Sequence, residues 1–311
     1  MNTSKSTGVI EPDEGLDVCG VLGENTMTEW TAKASVLIEA LPYIKRFAGK
    51  TMVIKYGGSA MGGPFEQVIL DIIWLKQAGI RPVVVHGGGK EISAMLNRLQ
   101  IESKFVDGLR VTDSETMNVV EMVLGGSVNK RIAATFHKHG VPAVGLTGVD
   151  GGLLRVKQKR AELGLVGEVV EVSHSLLDQM LNASVVPIIA PIGVDDNGVR
   201  YNVNADSAAG AIAGALQAEK LVLLTDVPGI MCETQDGKQV LNQITPAGIQ
   251  QLMEEGQITG GMVPKVEACL QALAAGAKHV HILNGEEPHA LLLEVFTDQG
   301  IGTMVIGGES A

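Results

Sequence analysis

Short apolar runs rich in β-branched residues recur along the chain, separated by stretches of helical period. The runs are TMVIKY, RPVVVH, AVGL (143–146), VVPIIA (185–190), LVLLT (221–225), HVHIL (279–283) and TMVI (303–306). Their continuous apolar character predicts strands buried on both faces. Between them the spacing predicts helices over Phe65–Ala78, around Ile92, Met95, Leu96 and Leu99, and over Thr116–His137, Asp206–Gln217, Pro246–Glu255 and Pro264–Ala275. Repeated strand–helix units imply an α/β fold, a mostly parallel central sheet sandwiched by helices. Asn197-Gly198 signals a hairpin that interrupts the alternation, and a second turn-rich patch lies at 157–167.

The N-terminal region breaks this pattern. Residues 1–28 are rich in Ser, Thr, Gly, Asp and Glu without periodicity, which predicts a mobile tail. Residues 30–47 place Val36, Leu37, Ala40, Leu41 and Ile44 on one helical face. Pro42 inside this run is expected to kink or interrupt the helix.

Composition narrows the class. With 311 residues, 45% of them hydrophobic, the chain has ample material for a large core. A formal charge of −11 argues against a nucleic-acid or anionic-membrane surface, which carries a basic footprint. Local cations can still focus a field on a small anion inside an acidic protein. Three scattered cysteines without a C-x-x-C pair point to a reduced, cytoplasmic setting. No apolar run approaches a membrane span, and the N-terminus lacks the basic-then-apolar signature of a secretory signal.

Candidate chemistry gathers where strands end, the usual place for ligands in open α/β sheets. In VIKYGGSAMGG, Lys55 precedes two Gly pairs, whereas a usual phosphate loop places its Lys after them. HGGGKEI (86–92) sets three glycines between a strand and a helix, where backbone N–H groups can converge on an anion. Taken alone, it is equally a tight turn. Arg110 in GLRVTD could clamp a carboxylate through its fork, or be an ordinary surface Arg. In YNVNADSAAG, Asn202 and Asn204 precede Asp206 at a helix start, and Asn204 also suits an N-cap. Thr225-Asp226 ends a strand ahead of a Pro-Gly turn. Lys265 in GGMVPKV opposes a helix dipole, a cost that facing a bound anion would offset. The histidines fit packing or solvent better than a metal site, since no Cys or carboxylate accompanies them at ligand spacing. Cys269 falls on an apolar helix face and reads as core.

In order and without large gaps from about residue 30 to residue 306, these motifs resemble the amino-acid kinase family. Within it the likeness is to the arginine-sensitive kinases of N-acetyl-L-glutamate. The segments that carry it include EALPYIKRFAGKTMVIKYGGSAM, VVVHGGGKEI, FVDGLRVTD, VEMVLGGSVNK, VGLTGVDGG, IIAPIGVDDNG, YNVNADSAAG, LLTDVPGI, GGMVPKV and HILNGEEPHALLLEVFTDQGIGTMV. The resemblance implies phosphoryl transfer from ATP, accompanied by Mg²⁺, to the side-chain carboxylate of N-acetyl-L-glutamate, a step of arginine biosynthesis. It implies an acyl amino acid-binding lobe over 49–195 and a nucleotide-binding lobe over 196–311, together one kinase domain. Gly88 and Gly89 would hold the acid through their N–H groups, Arg110 would clamp its α-carboxylate and Asn202 would bind it. Lys55 and Lys265 would flank the transferring phosphoryl group, with Asp206 orienting both. Gly57, Gly58, Thr225, Asp226 and Lys265 would face the nucleotide. No metal ligand is assigned to the protein.

The chemistry is consistent with these roles. A carboxylate nucleophile with an ordinary pKa near 4.3 is already ionised at neutral pH, so no general base is required. Repulsion between two anions is the obstacle, and cations from two sides address it. The chain departs from many relatives at Lys90, where Pro is common, and at Val149, where some carry Lys. Relatives inhibited by arginine carry a helix before the first strand that interlaces dimers into a ring. The resemblance therefore extends to residues 29–48 as an oligomerisation and regulatory element. It also implies arginine as inhibitor, at a site between this helix and the C-terminal lobe, and a homo-oligomer, a dimer assembled into a hexamer as a trimer of dimers. A helix that merely packs on its own subunit is the plainer alternative. Another small-acid kinase, of glutamate or aspartate, and a silent arginine sensor are the rival functions.

Overall fold

The computed structural model describes residues 24–57, 65–234, 237–297 and 300–307. The chain divides into two compact units at Leu41/Pro42. The first contains the larger part of helix α1 (Glu24–Phe47), which carries Pro42 within it instead of stopping there. The tail expected over 1–28 is thus too long by five residues, since Glu24 to Thr28 are already helical. Residues 1–23 lie outside the described part.

The second unit takes in the last residues of α1 and continues with strand β1 (Thr51–Tyr56), α2 (Phe65–Gln77), β2 (Arg81–His86) and α3 (Gly89–Arg98). A two-residue hairpin follows, β3 (Phe105–Val106) and β4 (Leu109–Arg110), turning on Asp107-Gly108. Both turn residues have positive φ, 50° and 75°, as a tight hairpin of this kind demands. Next come α4 (Ser114–Glu121), a π-helical segment over Met122–Val128, α5 (Asn129–Lys138) and β5 (Ala143–Thr147). The helix expected over Thr116–His137 is therefore continuous, and it widens to π pitch around Gly125-Gly126. Strands β6 (Leu154–Gln158) and β7 (Val166–Val172), α6 (Ser175–Asn182), β8 (Val186–Ala190), β9 (Ile192–Val194) and β10 (Arg200–Val203) complete this half. Then follow α7 (Ala205–Ala215), β11 (Lys220–Thr225), β12 (Met231–Thr234), β13 (Gly237–Val240), β14 (Gln243–Ile244) and α8 (Pro246–Glu254). Helix α9 (Val263–Ala274), β15 (His279–Asn284), α10 (Ala290–Phe296) and β16 (Thr303–Ile306) end the fold.

Eight strands form one sheet in the order β14-β16-β15-β11-β1-β2-β8-β5. All neighbours in it are parallel except β15 and β16. The apolar runs form it because their residues are buried on both faces. The chain fills the sheet on the β2 side of β1 first and returns to β11 on the other side, so the strand order reverses at β1. Ligands bind at such a reversal, beyond the carboxyl ends of the strands. Strands β6, β7, β9 and β10 close a small barrel beside the sheet, and the expected turn at Asn197-Gly198 joins β9 to β10. Among the described helices none is long and apolar enough to cross a membrane.

Helices α7 and α9 approach unusually closely. A Cβ on Gly210 would lie 2.8 Å from the Ala268 carbonyl oxygen, and one on Gly214 would lie 2.3 Å from Ala275 Cβ. Only glycine fits at either position. This seam explains the Ala/Gly-rich sequence of α7, and it brings the first turns of both helices together.

Candidate active site

Lys55 lies one residue before the end of β1, between Val85 of β2 and Leu223 of β11. Its flanking strands bury it, and its ammonium turns to Asp206 in the first turn of α7, 2.8 Å from Oδ1. This contact is ionic, with Oδ1 outside hydrogen-bond alignment. Lys265, in the first turn of α9, donates to the other oxygen, Oδ2, at 3.1 Å. One carboxylate thus spans two ammonium groups carried by separate elements. Burial alone would push the Asp206 carboxyl up, but the two ammonium groups outweigh it and hold it below its ordinary value. Asn204 caps α7, its Oδ1 accepting from the N–H groups of Asp206 and Ser207. That cap fixes the turn from which Asp206 projects.

A cavity of about 210 Å³ opens at this point. Lys55, Gly88, Gly89, Arg110, Asn202 and Asp206 all line it. Its apolar wall comes from Ile92, Phe105, Leu109, Leu124, Val166 and Pro191. Gly88 is packed so tightly that a Cβ would lie 2.5 Å from Leu124 Cδ2. No acceptor among the described residues takes the N–H of Gly88 or Gly89. Both lie at the start of α3, where orphan donors and the helix dipole favour an anion.

Arg110 is buried, and all its hydrogen-bond partners are neutral. Its guanidinium donates to Gly89 O at 3.0 Å, to Ser93 Oγ at 2.8 Å and, in a shorter contact, to Ser103 Oγ. The Phe105 ring covers it, 4.7 Å from Cζ to the centroid. Burial pulls the guanidinium below its ordinary pKa. No carboxylate among the described residues pairs with it, so a buried positive charge faces the cavity unneutralised. Asn202 donates to Thr112 Oγ1 at 3.2 Å, and that hydroxyl donates to the Arg110 carbonyl at 2.9 Å.

The remaining sequence candidates sit apart. A Cβ on Gly57 would fall 3.0 Å from Gly87 N, so Gly57 serves the close approach of two loops and lies off the cavity wall. Gly58 lies outside the described residues. Thr225 and Asp226 stand at the carboxyl end of β11, beyond the cavity, with Thr225 Oγ1 donating to Asp226 Oδ1 at 3.1 Å. Among the described residues no cluster of His, Cys, Asp or Glu is placed to hold a metal ion.

The structure adds residues that sequence reading missed. Phe105 and the serines around Arg110 are one such set, and the Asp107-Gly108 turn was a readable signal that β3 returns as β4. A second set lies around one of the packed histidines. Buried His281 contacts Lys220 Nζ at 2.8 Å through Nε2 and Glu294 Oε1 at 2.6 Å through Nδ1. Lys220 in turn lies over the Phe47 ring at the end of α1, 5.4 Å from its centroid. Burial brings the Lys220 pKa down to about 8 and that of His281 to about 4.

The amino acid kinase family profile matches residues 50–284. The acetylglutamate kinase of Heliobacterium modesticaldum is 51% identical over 288 residues, covering 88% of this chain and 98% of its own. Among solved structures, N-acetylglutamate synthase from Neisseria gonorrhoeae complexed with coenzyme A and N-acetyl-glutamate superposes with a TM-score of 0.77 at 29% identity. That match covers 88% of this chain and 63% of the synthase. The synthase complexed with coenzyme A and L-arginine gives 0.75 at 26% identity, over 88% of this chain and 65% of the synthase. Giardia lamblia carbamate kinase bound to AMP-PNP shares the fold, with a TM-score of 0.62 at 20% identity, over 83% of this chain and 99% of its own. With a profile match across the sheet and the cavity, and half of all aligned positions shared with a full-length relative, the chain belongs to the amino acid kinase family.

Proposed function

We propose that the protein transfers the γ-phosphoryl group of ATP to the side-chain carboxylate of N-acetyl-L-glutamate, giving N-acetyl-L-glutamyl 5-phosphate and ADP in arginine biosynthesis. The observation that carries this reading is the charge layout of one cavity. Arg110 lacks a carboxylate partner among the described residues, and Lys55 faces the same space. A ligand with two anionic ends satisfies both. The carboxylate lining the cavity, Asp206, is already shared by two lysines, so a free α-ammonium group finds no spare counter-charge among the described residues that line it. An acylated nitrogen carries no charge and avoids that cost. This favours N-acetylglutamate over glutamate or aspartate, and the acetylglutamate kinase relatives at about half identity support the same substrate.

In this reading Arg110 binds the α-carboxylate, while Gly88 and Gly89 N–H groups and Asn202 orient the acid. The nucleophilic carboxylate needs no base. Lys55 and Lys265 approach from the two sides and neutralise charge on the phosphoryl oxygens, and Asp206 holds both in place. Thr225 and Asp226, beside the carboxyl end of β1, face the nucleotide together with Gly57 and Gly58. Mg²⁺ arrives with ATP and offsets charge on its phosphates. A coupled ADP-release assay tests the function. We expect turnover with N-acetyl-L-glutamate at least about a hundredfold more efficient than with glutamate or aspartate. Equal rates with the unacylated acids, or no ADP with any of them, would overturn the reading.

The same relationship supports a homo-oligomer under arginine control. Strand β5 is an edge of the eight-stranded sheet, and apolar Val144 on it and nearby Met122 are exposed. Val36, Leu37 and Ile38 of α1 are exposed as well. A dimer across the β5 edge, assembled further through α1, would cover both. The arginine complex of the synthase favours arginine as the inhibitor. Removing residues 1–41 is expected to reduce the assembly to dimers and abolish arginine inhibition while leaving turnover. Unchanged mass and unchanged inhibition in light scattering and assay would remove this part.

A further inference from the structure

Apart from Leu124 in the cavity wall, the motif VEMVLGGSVNK plays no part in the site above, yet its Asn129 is wholly buried. Its side chain stands across three parallel strands. Nδ2 lies 3.1 Å from His86 Nε2 on β2, 3.0 Å from the Ile188 carbonyl on β8 and 3.2 Å from the Leu146 carbonyl on β5. Oδ1 accepts from Lys130 Nζ at 3.1 Å, and that ammonium also donates to the Gly145 carbonyl at 2.8 Å. An ammonium can only donate, so the amide oxygen must face it and the NH₂ must face the strands. Space for the amide exists because residue 145 is glycine. A Cβ there would fall 1.7 Å from Asn129 Oδ1.

His86 ends β2 and begins the HGGG turn. Its Nδ1 lies 2.9 Å from the Gly87 carbonyl oxygen. One neutral tautomer satisfies both ring contacts. The Gly87 carbonyl can only accept, so the ring proton sits on Nδ1 and donates to it, and Nε2 is left as an acceptor facing the Asn129 NH₂, whose two protons serve it and the strand carbonyls. The other tautomer would set N–H against NH₂ and a lone pair against a carbonyl. Burial brings the His86 pKa down to about 4, so the ring holds one proton at neutral pH. The Gly87 carbonyl and the Gly88 N–H belong to the same planar peptide unit and point in opposite directions. The adjoining Gly87 N–H donates to Tyr56 O at 2.9 Å, which fixes the other side of Gly87.

We propose that Asn129 is a positioning residue for the acid site: by anchoring the His86 ring at Nε2 while its Nδ1–H holds the Gly87 carbonyl, it fixes the Gly87–Gly88 peptide plane and so aims the Gly88 N–H into the cavity. The inference rests on the reading that this loop holds the acid. It also gives Asn129 and Gly145, which lie on neighbouring elements, a single joint purpose.

The test uses the full chain with Asn129→Leu, which removes the donor at similar volume, and Gly145→Ala, which evicts the amide from the far side. Both should raise KM for N-acetyl-L-glutamate about tenfold, the worth of one well-made hydrogen bond. KM for ATP should stay within about twofold and kcat within about threefold, since neither lysine is touched. A thermal melt run alongside separates misfolding from misaiming. An unchanged KM for the acid in either folded variant, or equal rises in both KM values, overturns the proposal. Failure of both variants to fold would assign the amide to stability and overturn it too. Gly89→Pro serves as the reference arm. It removes one N–H at the first position of α3, where a Cβ meets no atom within 4 Å, and strains the turn at Gly88, whose ψ of 30° a following proline disfavours, so it should raise KM for the acid. If it does so and Asn129→Leu does not, the positioning role alone fails. If Gly89→Pro leaves that KM unchanged, the loop is not the acid site.

Discussion

Replacing either Lys55 or Lys265 by alanine is expected to lower kcat by roughly 10²–10³-fold, the range seen when one preorganised charge-stabilising donor is lost. The acid and the terminal phosphate of ATP are both anions, and the transition state must hold them in line. Each ammonium reduces that repulsion, and a buried position strengthens the effect because water does not screen it. Lys55 is the more enclosed of the two, with 7% of its side chain exposed against 16% for Lys265. Its loss should therefore be the larger. The effects should not add, because both lysines share Asp206 and losing one frees the carboxylate to draw the other away from the phosphate. Methionine at either position keeps most of the stem and removes the charge, so it should match alanine in kcat while folding better. KM for the acid should change little, since Arg110 and the glycine loop remain. Near-normal kcat in both single variants would defeat the assignment.

The second large effect is expected at Asp206. Asp206→Ala leaves two ammonium groups facing each other without the charge that separates them, one of them on the buried Lys55. Stripping one partner from a buried ion pair typically costs about 3–5 kcal/mol, and kcat should fall with stability because neither lysine keeps its aim. The pH dependence has a definite sign. The folded carboxyl ionises below its ordinary value of 3.8. Its contribution to stability is therefore present above that value and lost as pH falls through the lower, folded-state pKa. Asp206→Asn lacks this carboxyl, so its melting temperature should depend less steeply on pH in that acid range. Identical acid profiles for the parent and Asp206→Asn would show that the carboxylate is not the bridge described.

The sheet was legible because parallel strands buried on both faces must be apolar throughout, and seven such runs stand out in the sequence. Each became a strand within two residues of its expected limits. The small barrel was not legible. Strand β7 is largely half-exposed, and β9 spans three residues, so these strands are defined by pairings between distant segments. Helix α6 starts without a side-chain cap, and α10 follows a left-handed His289 that also lacks one. Neither therefore carries a start signal. At the site, Lys55 was readable as a cation at odds with its apolar run, and Asp206 as the acid beside an Asn cap. The bridge between them was not, since it joins residues 151 positions apart. Arg110 looked like a surface residue because its buried surroundings come from Ser93, Ser103 and Phe105, brought round by α3 and the β3–β4 hairpin.

The glycine seam between α7 and α9 has a mechanical consequence. Because Gly210 and Gly214 leave no slack along it, neither helix can swing without its neighbour, and Asp206 and Lys265 travel as one rigid jaw. Helix α7 packs against β1 as well, so the frame that joins Asp206 to Lys265 also carries Lys55 and sets the 2.8 Å salt link.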